Sequence, residues 1–474
     1  MQRSQEPTPS TDRAGTASSQ DGRRLDLHVP LESGLAIGSI VTVTDDAGVQ
    51  VGQVHDLSLS SDGSSRGSGS LLGALADDGS LTPGATRAFG SAVLAPAAPD
   101  VSTRLFGGSG ELLELGTLRV GHPVPVGVLA ARLNRHTFWC GQSGSGKTYA
   151  LGVLLEQVLL HTRLPMVILD PNSDFVALGE RAGTASTAAG RAAQDELQHR
   201  SVRVLRPRPG DHEALRVRFT ALSMEGKAAV LRLDPVADRD EYNELVHLEL
   251  EVGSQDTTQI VPQLRTRDSA AARALSARVE NLGLLGWDLW AREHRAAAEV
   301  LDERPDATVL DLAGFSNPDE YLVVAMSVLD DLWAKRERRR PLLVVIDEAH
   351  NLCPSDDGSP LQNAVRDRIV QIAAEGRKYG LWLLLSTQRP AKVQRNVISQ
   401  CDNLALMRMS SPSDIAELAT LFGFVPVPML EESPFFRQGE ALLAGGFVPA
   451  PTAITMGERL TRQGGGDVRV PLRS

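Results

Sequence analysis

"HTFWCGQSGSGKTYALGVLLEQVL", residues 136–159, decides how the rest of the chain is read. A short apolar run leads into Gly141, Gln142, Ser143, Gly144, Ser145, Gly146, Lys147 and Thr148, which fit G-x-x-x-x-G-K-T, and an amphipathic helix follows. Glycines let backbone N–H groups turn inward around phosphates, and the helix N-terminus adds positive potential. Lys147 then reaches the β- and γ-phosphates, and the Thr148 hydroxyl binds magnesium. The strand–loop–helix context favours a phosphate-binding loop over a bland glycine-rich turn.

Such a loop needs an acidic partner, and "PLLVVIDEAHNL" (residues 341–352) supplies one. Its apolar run predicts a central strand with Asp347 at the carboxyl end, where open α/β sheets bind ligands. Asp347 is placed to hold the magnesium shell. Glu348, one residue on, is placed to polarise an attacking water as general base. The plainer reading is a pair of carboxylates favoured by a helix N-terminus. The letters Asp-Glu-Ala-His also occur in two-lobed DEAH-box helicases. Those carry a second motor lobe ending in QxxGRxGR, which is not found here.

Around these motifs the chain alternates strands and helices, which predicts a mostly parallel sheet covered on both faces. Strands are expected at 136–140, 166–169, 308–312, 342–346, 381–386, 404–409 and 441–444. Residues 121–180 and 306–474 make up this core, and the Ala-, Leu-, Glu- and Arg-rich stretch 181–305 reads as a helical insertion. Before the core, "GSIVTVTDDAGVQVGQVHDLSL" alternates apolar and polar residues about a turn. It predicts a small, barrel-like β domain over 25–120, since closure removes sheet edges. The polar residues 1–24 read as a disordered tail without the apolar segment of a signal peptide.

At 474 residues the chain has room for about three domains of ~150 residues. Cys140, Cys353 and Cys401 lie far apart, so they read as core residues in a reducing compartment. No run approaches the ~18 apolar residues of a membrane span, and a cytoplasmic location is expected. "LVVAMSVL" reads as a buried helix face. The net charge of -11 argues against a simple basic nucleic-acid binder. Yet residues 361–410 hold eight basic and three acidic side chains, a local +5 that is either a solvated face or one wall of a channel. The run "KRERRR" (335–340) is better explained as helix-terminal cations than as a DNA contact.

"EGRKYGLWLLLSTQRP", residues 375–390, carries polar residues at both ends of an apolar strand. Gln388, at the end of the strand beside Asp347, is placed to sense a γ-phosphate. Arg377 and Lys378 lie at the other end, roughly 25 Å away at ~3.3 Å per residue. They cannot reach the same phosphates, though they could simply satisfy last-turn helix carbonyls.

The ordered set "RHTFWCGQSGSGKT", "MVILDPNSDF", "LLVVIDEAHNL" and "EGRKYGLWLLLSTQRPAKVQRNVISQCDNLALMRM" resembles the HerA-type ATPases of the HerA/FtsK group, over about 120–450. The resemblance implies an α/β RecA-like P-loop core, preceded by a barrel. It also implies a homohexameric ring, hydrolysis of ATP with Mg2+, and movement along double-stranded DNA, often beside a nuclease partner; no membrane partner is expected, since no apolar run is long enough to span one. It makes Arg377 an arginine finger acting in trans, with Lys378 as the rival. It matches Asp170 to an Asp-Pro motif near the nucleotide and Arg135 to a basic position that can act on it. Ser173 stands where the family commonly has glycine, which leaves that turn open. Lys392 and Arg395 are the candidates for DNA contact. Two other functions fit the motifs: a secretion- or conjugation-type motor, and a nucleotide-dependent switch gating a nuclease.

Overall fold

The structure is a computed structural model that describes residues 15–61, 63–107, 111–208, 210, 212–252, 260–292 and 294–465. The chain divides into two units, Met1–Ala131 with Leu404–Gly457, and Arg132–Asn403 with Glu458–Ser474.

The first unit begins with strands β1 (Gly15–Ser19), β2 (Arg24–Pro30), β3 (Ile40–Asp45), β4 (Gly48–Leu59), β5 (Ser64–Leu75), β6 (Leu81–Pro83) and β7 (Phe89–Pro96). They pair in the order β2-β1-β7-β3-β4-β5-β6, and a further β2–β5 pairing closes six of them into a barrel. Alternation decides this: Leu25, Leu27 and Val29 point inward from β2, where they meet Val41, Val43, Val54 and Leu94. Gly52, Gly67 and Gly69 let β4 and β5 approach closely. Helix α1 (Pro99–Gly107) and the hairpin β8 (Leu112–Leu118) and β9 (Pro125–Leu129) complete the N-terminal part of this unit.

The second unit is built on a parallel sheet. In chain order it contains β10 (His136–Cys140), α2 (Lys147–His161), β11 (Met166–Asp170), α3 (Ala188–Leu197), β12 (Val202–Arg206) and β13 (Glu213–Ala214). There follow the helices α4 (Met224–Val230), α5 (Arg239–Val252), α6 (Ile260–Thr266), α7 (Ala270–Asn281) and α8 (Ala297–Asp302), then β14 (Ala307–Asp311), α9 (Glu320–Ala334), β15 (Leu342–Ile346), α10 (Pro360–Glu375), β16 (Leu381–Thr387) and α11 (Arg395–Ile398). The order is β13-β12-β14-β11-β15-β16-β10. Strands β10, β11, β14 and β15 are buried at every residue, as strands covered on both faces must be. Residues 322–329 of α9 are likewise all buried, so "LVVAMSVL" is a core helix. No helix among the described residues is long and apolar enough to cross a membrane.

From β17 (Cys401–Met407) the chain returns to the first unit through α12 (Pro412–Leu421), α13 (Val427–Glu431), β18 (Glu440–Gly445) and β19 (Thr452–Met456). In that unit β19 pairs antiparallel with both β18 and β8.

Three expectations need correction. Residues 15–24 are not tail: Gly15–Ser19 is a barrel strand, while 1–14 lie outside the described residues. Residues 181–305 are not wholly helical, because β12 pairs in parallel with β14 inside the core sheet. Residues 404–457 belong with the barrel unit and not with the remainder of the core.

Candidate nucleotide site

The strand order β15-β16-β10 inserts β16 between the strand that ends in Asp347 and the strand that feeds the phosphate loop. Register places Cys140 opposite Thr387 and Ile346 opposite Leu385, so three carboxyl ends converge. The loop itself requires glycine twice: Gly144 has φ +73° and Gly146, the N-cap of α2, has φ +92°. Ser145 N–H bonds the Gln142 carbonyl at 3.1 Å, which tightens the turn.

Lys147 is buried and its ammonium donates to Asp347 Oδ1 at 2.7 Å and Ser386 Oγ at 2.8 Å. Glu348 Oε1 is 3.3 Å away. Burial works to lower the Lys147 pKa, but Asp347 and then Glu348 outweigh it and hold it above its ordinary value. The lysine is therefore charged and is paired with the two carboxylates that follow β15.

Glu348 takes a left-handed conformation, φ 45° and ψ 50°, which costs roughly 1 kcal/mol or more for a non-glycine residue. Its carboxylate is held from three sides. Gln388 Nε2 donates to Oε1 at 2.6 Å, Lys147 is near the same oxygen, and His350 Nδ1 lies 3.3 Å from Oε2. His350 also lies 3.1 Å from Thr387 Oγ1. The structure thus brings Gln388 onto the candidate base itself.

Asp170 closes its own loop. Oδ1 accepts from the Asn172 and Asp174 amides and Oδ2 from the Phe175 amide. Burial pushes its pKa up to about 7 despite those donors. Ser173 sits in that loop at φ 58°, the left-handed region that favours glycine, and its hydroxyl donates to Asp311 Oδ1 at 2.8 Å. The turn geometry left open by the sequence is thus a left-handed one, held by a side-chain bond.

Asp174 was not singled out from sequence. It accepts from the Thr148 hydroxyl at 3.3 Å, and burial, then Asp347, pushes its pKa up to about 6. Carboxylate oxygens of Asp170, Asp174 and Asp347 lie within 4.8 Å of one another. Asp347 Oδ2 and Ser145 Oγ are buried without a hydrogen-bond partner. A cluster of hard oxygen donors with an orphaned carboxylate oxygen fits a divalent cation such as Mg2+. The second aspartate of "DPNSD" was the available signal, four positions after Asp170.

The other end of β16 holds a different group. Arg377 Nη1 donates to Asp402 Oδ2 at 2.6 Å, and Arg135 Nη1 is 3.7 Å from the same oxygen. Arg377 is half-buried, and Lys378 is exposed beside Glu375 and over the Tyr379 ring. None of these three cations is brought into the phosphate-loop cluster. Lys392 pairs with Asp356 at 3.4 Å, and Arg395 is exposed at the start of α11. Asp402, which draws Arg135 and Arg377 together, was visible in sequence only as a stray acidic residue.

Residues 113–330 match the family described as "Helicase HerA, central domain". The DNA double-strand break repair helicase HerA of Sulfurisphaera tokodaii is 32% identical over 114 residues, 24% of this chain and 22% of that protein. Its counterpart in Pyrococcus furiosus is 26% identical over 114 residues, 24% of this chain and 20% of that protein. The matched region thus spans under a quarter of each of these relatives. Among solved structures, the bacterial conjugative coupling protein TrwBdeltaN70 in complex with sulphate gives a TM-score of 0.48 at 14% identity, covering 76% of this chain and 94% of that one. Residues 113–330, with Lys147 of the phosphate loop set against Asp347 and Glu348, are thus similar to the central domain of the HerA-type helicases.

Proposed function

We propose that the protein is an ATP-driven motor that moves along double-stranded DNA as a homohexameric ring, in the cytoplasm, in repair or defence and beside a nuclease partner. The observation that carries this reading is the division of labour along β16. Gln388 bonds Glu348 at one end, and Arg377 is fixed on Asp402 at the other. The seven residues of β16 that lie between them span roughly 23 Å at ~3.3 Å each. An arginine so far from its own phosphates has a catalytic use only at a neighbour's site.

In this mechanism ATP enters with its phosphates on residues 141–148, and Lys147 leaves Asp347 and Glu348 for the β- and γ-phosphates. Thr148, Asp347 and Asp174 would hold Mg2+, which when bound would supply positive charge beside the phosphate oxygens. Release of Lys147 frees Glu348 to take a proton from water at Oε1 or Oε2, with Gln388 keeping it in line. Arg377 of the adjacent subunit meets the charge developing on the γ-phosphate, and Lys378 replaces it if the finger is one residue later. Lys392 and Arg395 touch DNA phosphates, so binding is largely independent of base sequence.

The test is ATP turnover and strand displacement on long duplex DNA. The reading requires turnover stimulated by the duplex and displacement that depends on ATP. Turnover without either effect overturns it in favour of a nucleotide-dependent switch.

A further inference from the structure

Arg459 has a side chain only 2% exposed and takes no part in the chemistry above. It lies on a strap, residues 458–465, that runs back over the phosphate-loop helix after β19. Its guanidinium donates to the Thr148 carbonyl at 3.2 Å and the Arg462 carbonyl at 3.4 Å. Its backbone N–H donates to Tyr149 Oη at 2.7 Å.

Helix α2 is shaped to receive it. Gly152 lies one turn beyond Thr148, and a Cβ there would stand 2.5 Å from Arg459 Cζ. Glu156, a further turn along and 1% exposed, accepts from Leu460 N, Thr461 N and Thr461 Oγ1 at 2.9, 2.7 and 2.5 Å. Its Oε1 is 3.8 Å from Arg459 Nε. The far end of the strap grips the neighbouring loop. Gly464 N–H donates to the Asp174 carbonyl at 3.0 Å, and any Cβ on Gly464 would collide with the Ser173 carbonyl.

The strap therefore ties together the two pieces of backbone that carry Thr148 and Asp174, whose side chains meet at 3.3 Å. Stability is a weak account of such a buried pair, because apolar replacements of buried ion pairs are often neutral or stabilising. We propose that Arg459 is a positioning residue for magnesium–nucleotide binding, acting through Thr148 and the Asp174 loop without touching the nucleotide. This rests on the reading of residues 141–148 as the ATP site.

The experiment measures affinity of the full chain for a fluorescent ATP analogue, with Mg2+ and with a chelator, together with Tm and with KM and kcat for ATP. The variants are Arg459→Lys, Gly152→Ala (which displaces the guanidinium without removing it) and Thr461→Val, with Lys147→Ala as the control. Arg459→Lys and Gly152→Ala should weaken binding about tenfold with Mg2+, a change of ~1.4 kcal/mol, and much less with the chelator. KM should rise more than kcat falls. Variants that bind with Mg2+ as the wild type does, while Lys147→Ala loses binding, overturn the role of Arg459. A Tm loss without a magnesium-dependent change in affinity, or failure of all three variants to fold, assigns Arg459 to structure alone and also overturns it. Binding that Lys147→Ala leaves intact instead removes the nucleotide-site reading beneath it.

Discussion

Lys147 bridges Asp347 and Glu348, so changes to the lysine and to the glutamate leave distinct signatures. Lys147→Ala should abolish nucleotide binding and leave two buried carboxylates without a cation. Glu348→Gln should keep binding but lower kcat by ~10²–10⁴, the usual contribution of a positioned general base. Equilibrium binding and single-turnover hydrolysis separate these outcomes. Asp174→Asn should raise the Mg2+ concentration needed for half-maximal turnover, since it removes one of three clustered carboxylates. Lys147, Asp347 and Glu348 were legible in sequence because their chemistry is tied to local motifs. Asp174 and Arg459 were not, because their meaning comes from contacts with Thr148, 26 and 311 positions away along the chain.

Strand β16 explains much of the site, and His136 holds its outer end. Leu383 N–H donates to His136 Nδ1 at 2.9 Å, so Nε2 carries the ring proton and donates to the Ala373 carbonyl at 3.0 Å. This joins β10, β16 and the end of α10 just before the corner that carries Arg377. Burial, then the Arg377 charge, lowers the His136 pKa from 6.5 to about 4, while Ala373 and Asp402 oppose that and Arg135 adds to it. A histidine depressed in the folded state contributes stability that is complete above pH 6.5 and is lost as pH falls towards 4. The loss is worth roughly 3 kcal/mol at most. Denaturant titrations across that range should show it, and His136→Gln should flatten it. In the buried middle of the strand, Leu384→Ala should cost ~2–5 kcal/mol. The core strands were legible as continuous apolar runs. Strand β12 ("VRVLR") was not, because it is mostly half-buried and basic, and β1 ("GTASS") fills the barrel with small residues that carry no apolar signal.

At the scale of the whole molecule, the motor proposed above would hold DNA by its phosphates through the local excess of cations over 361–410. Affinity for duplex DNA should therefore fall linearly with salt on logarithmic axes, and removing one phosphate-contacting cation should lessen the slope by about one unit. Lys392→Ala and Arg395→Ala are the substitutions to compare, with ATP affinity as the control. The presence of a barrel and an α/β core was legible from a change in hydrophobic rhythm. The boundaries were not, since residues 404–457 return to the barrel unit through long-range pairing that no local pattern records. In the ring proposed above, the two ends of β16 serve the sites of two subunits. Mixing Arg377→Ala and Glu348→Gln chains, each inactive alone, measures this directly. In a head-to-tail ring about one interface in four, a half times a half, combines an intact Glu348 with an intact Arg377. ATP turnover should return to about that fraction of the wild-type rate. Mixed rings that assemble and stay inactive would contradict the proposal.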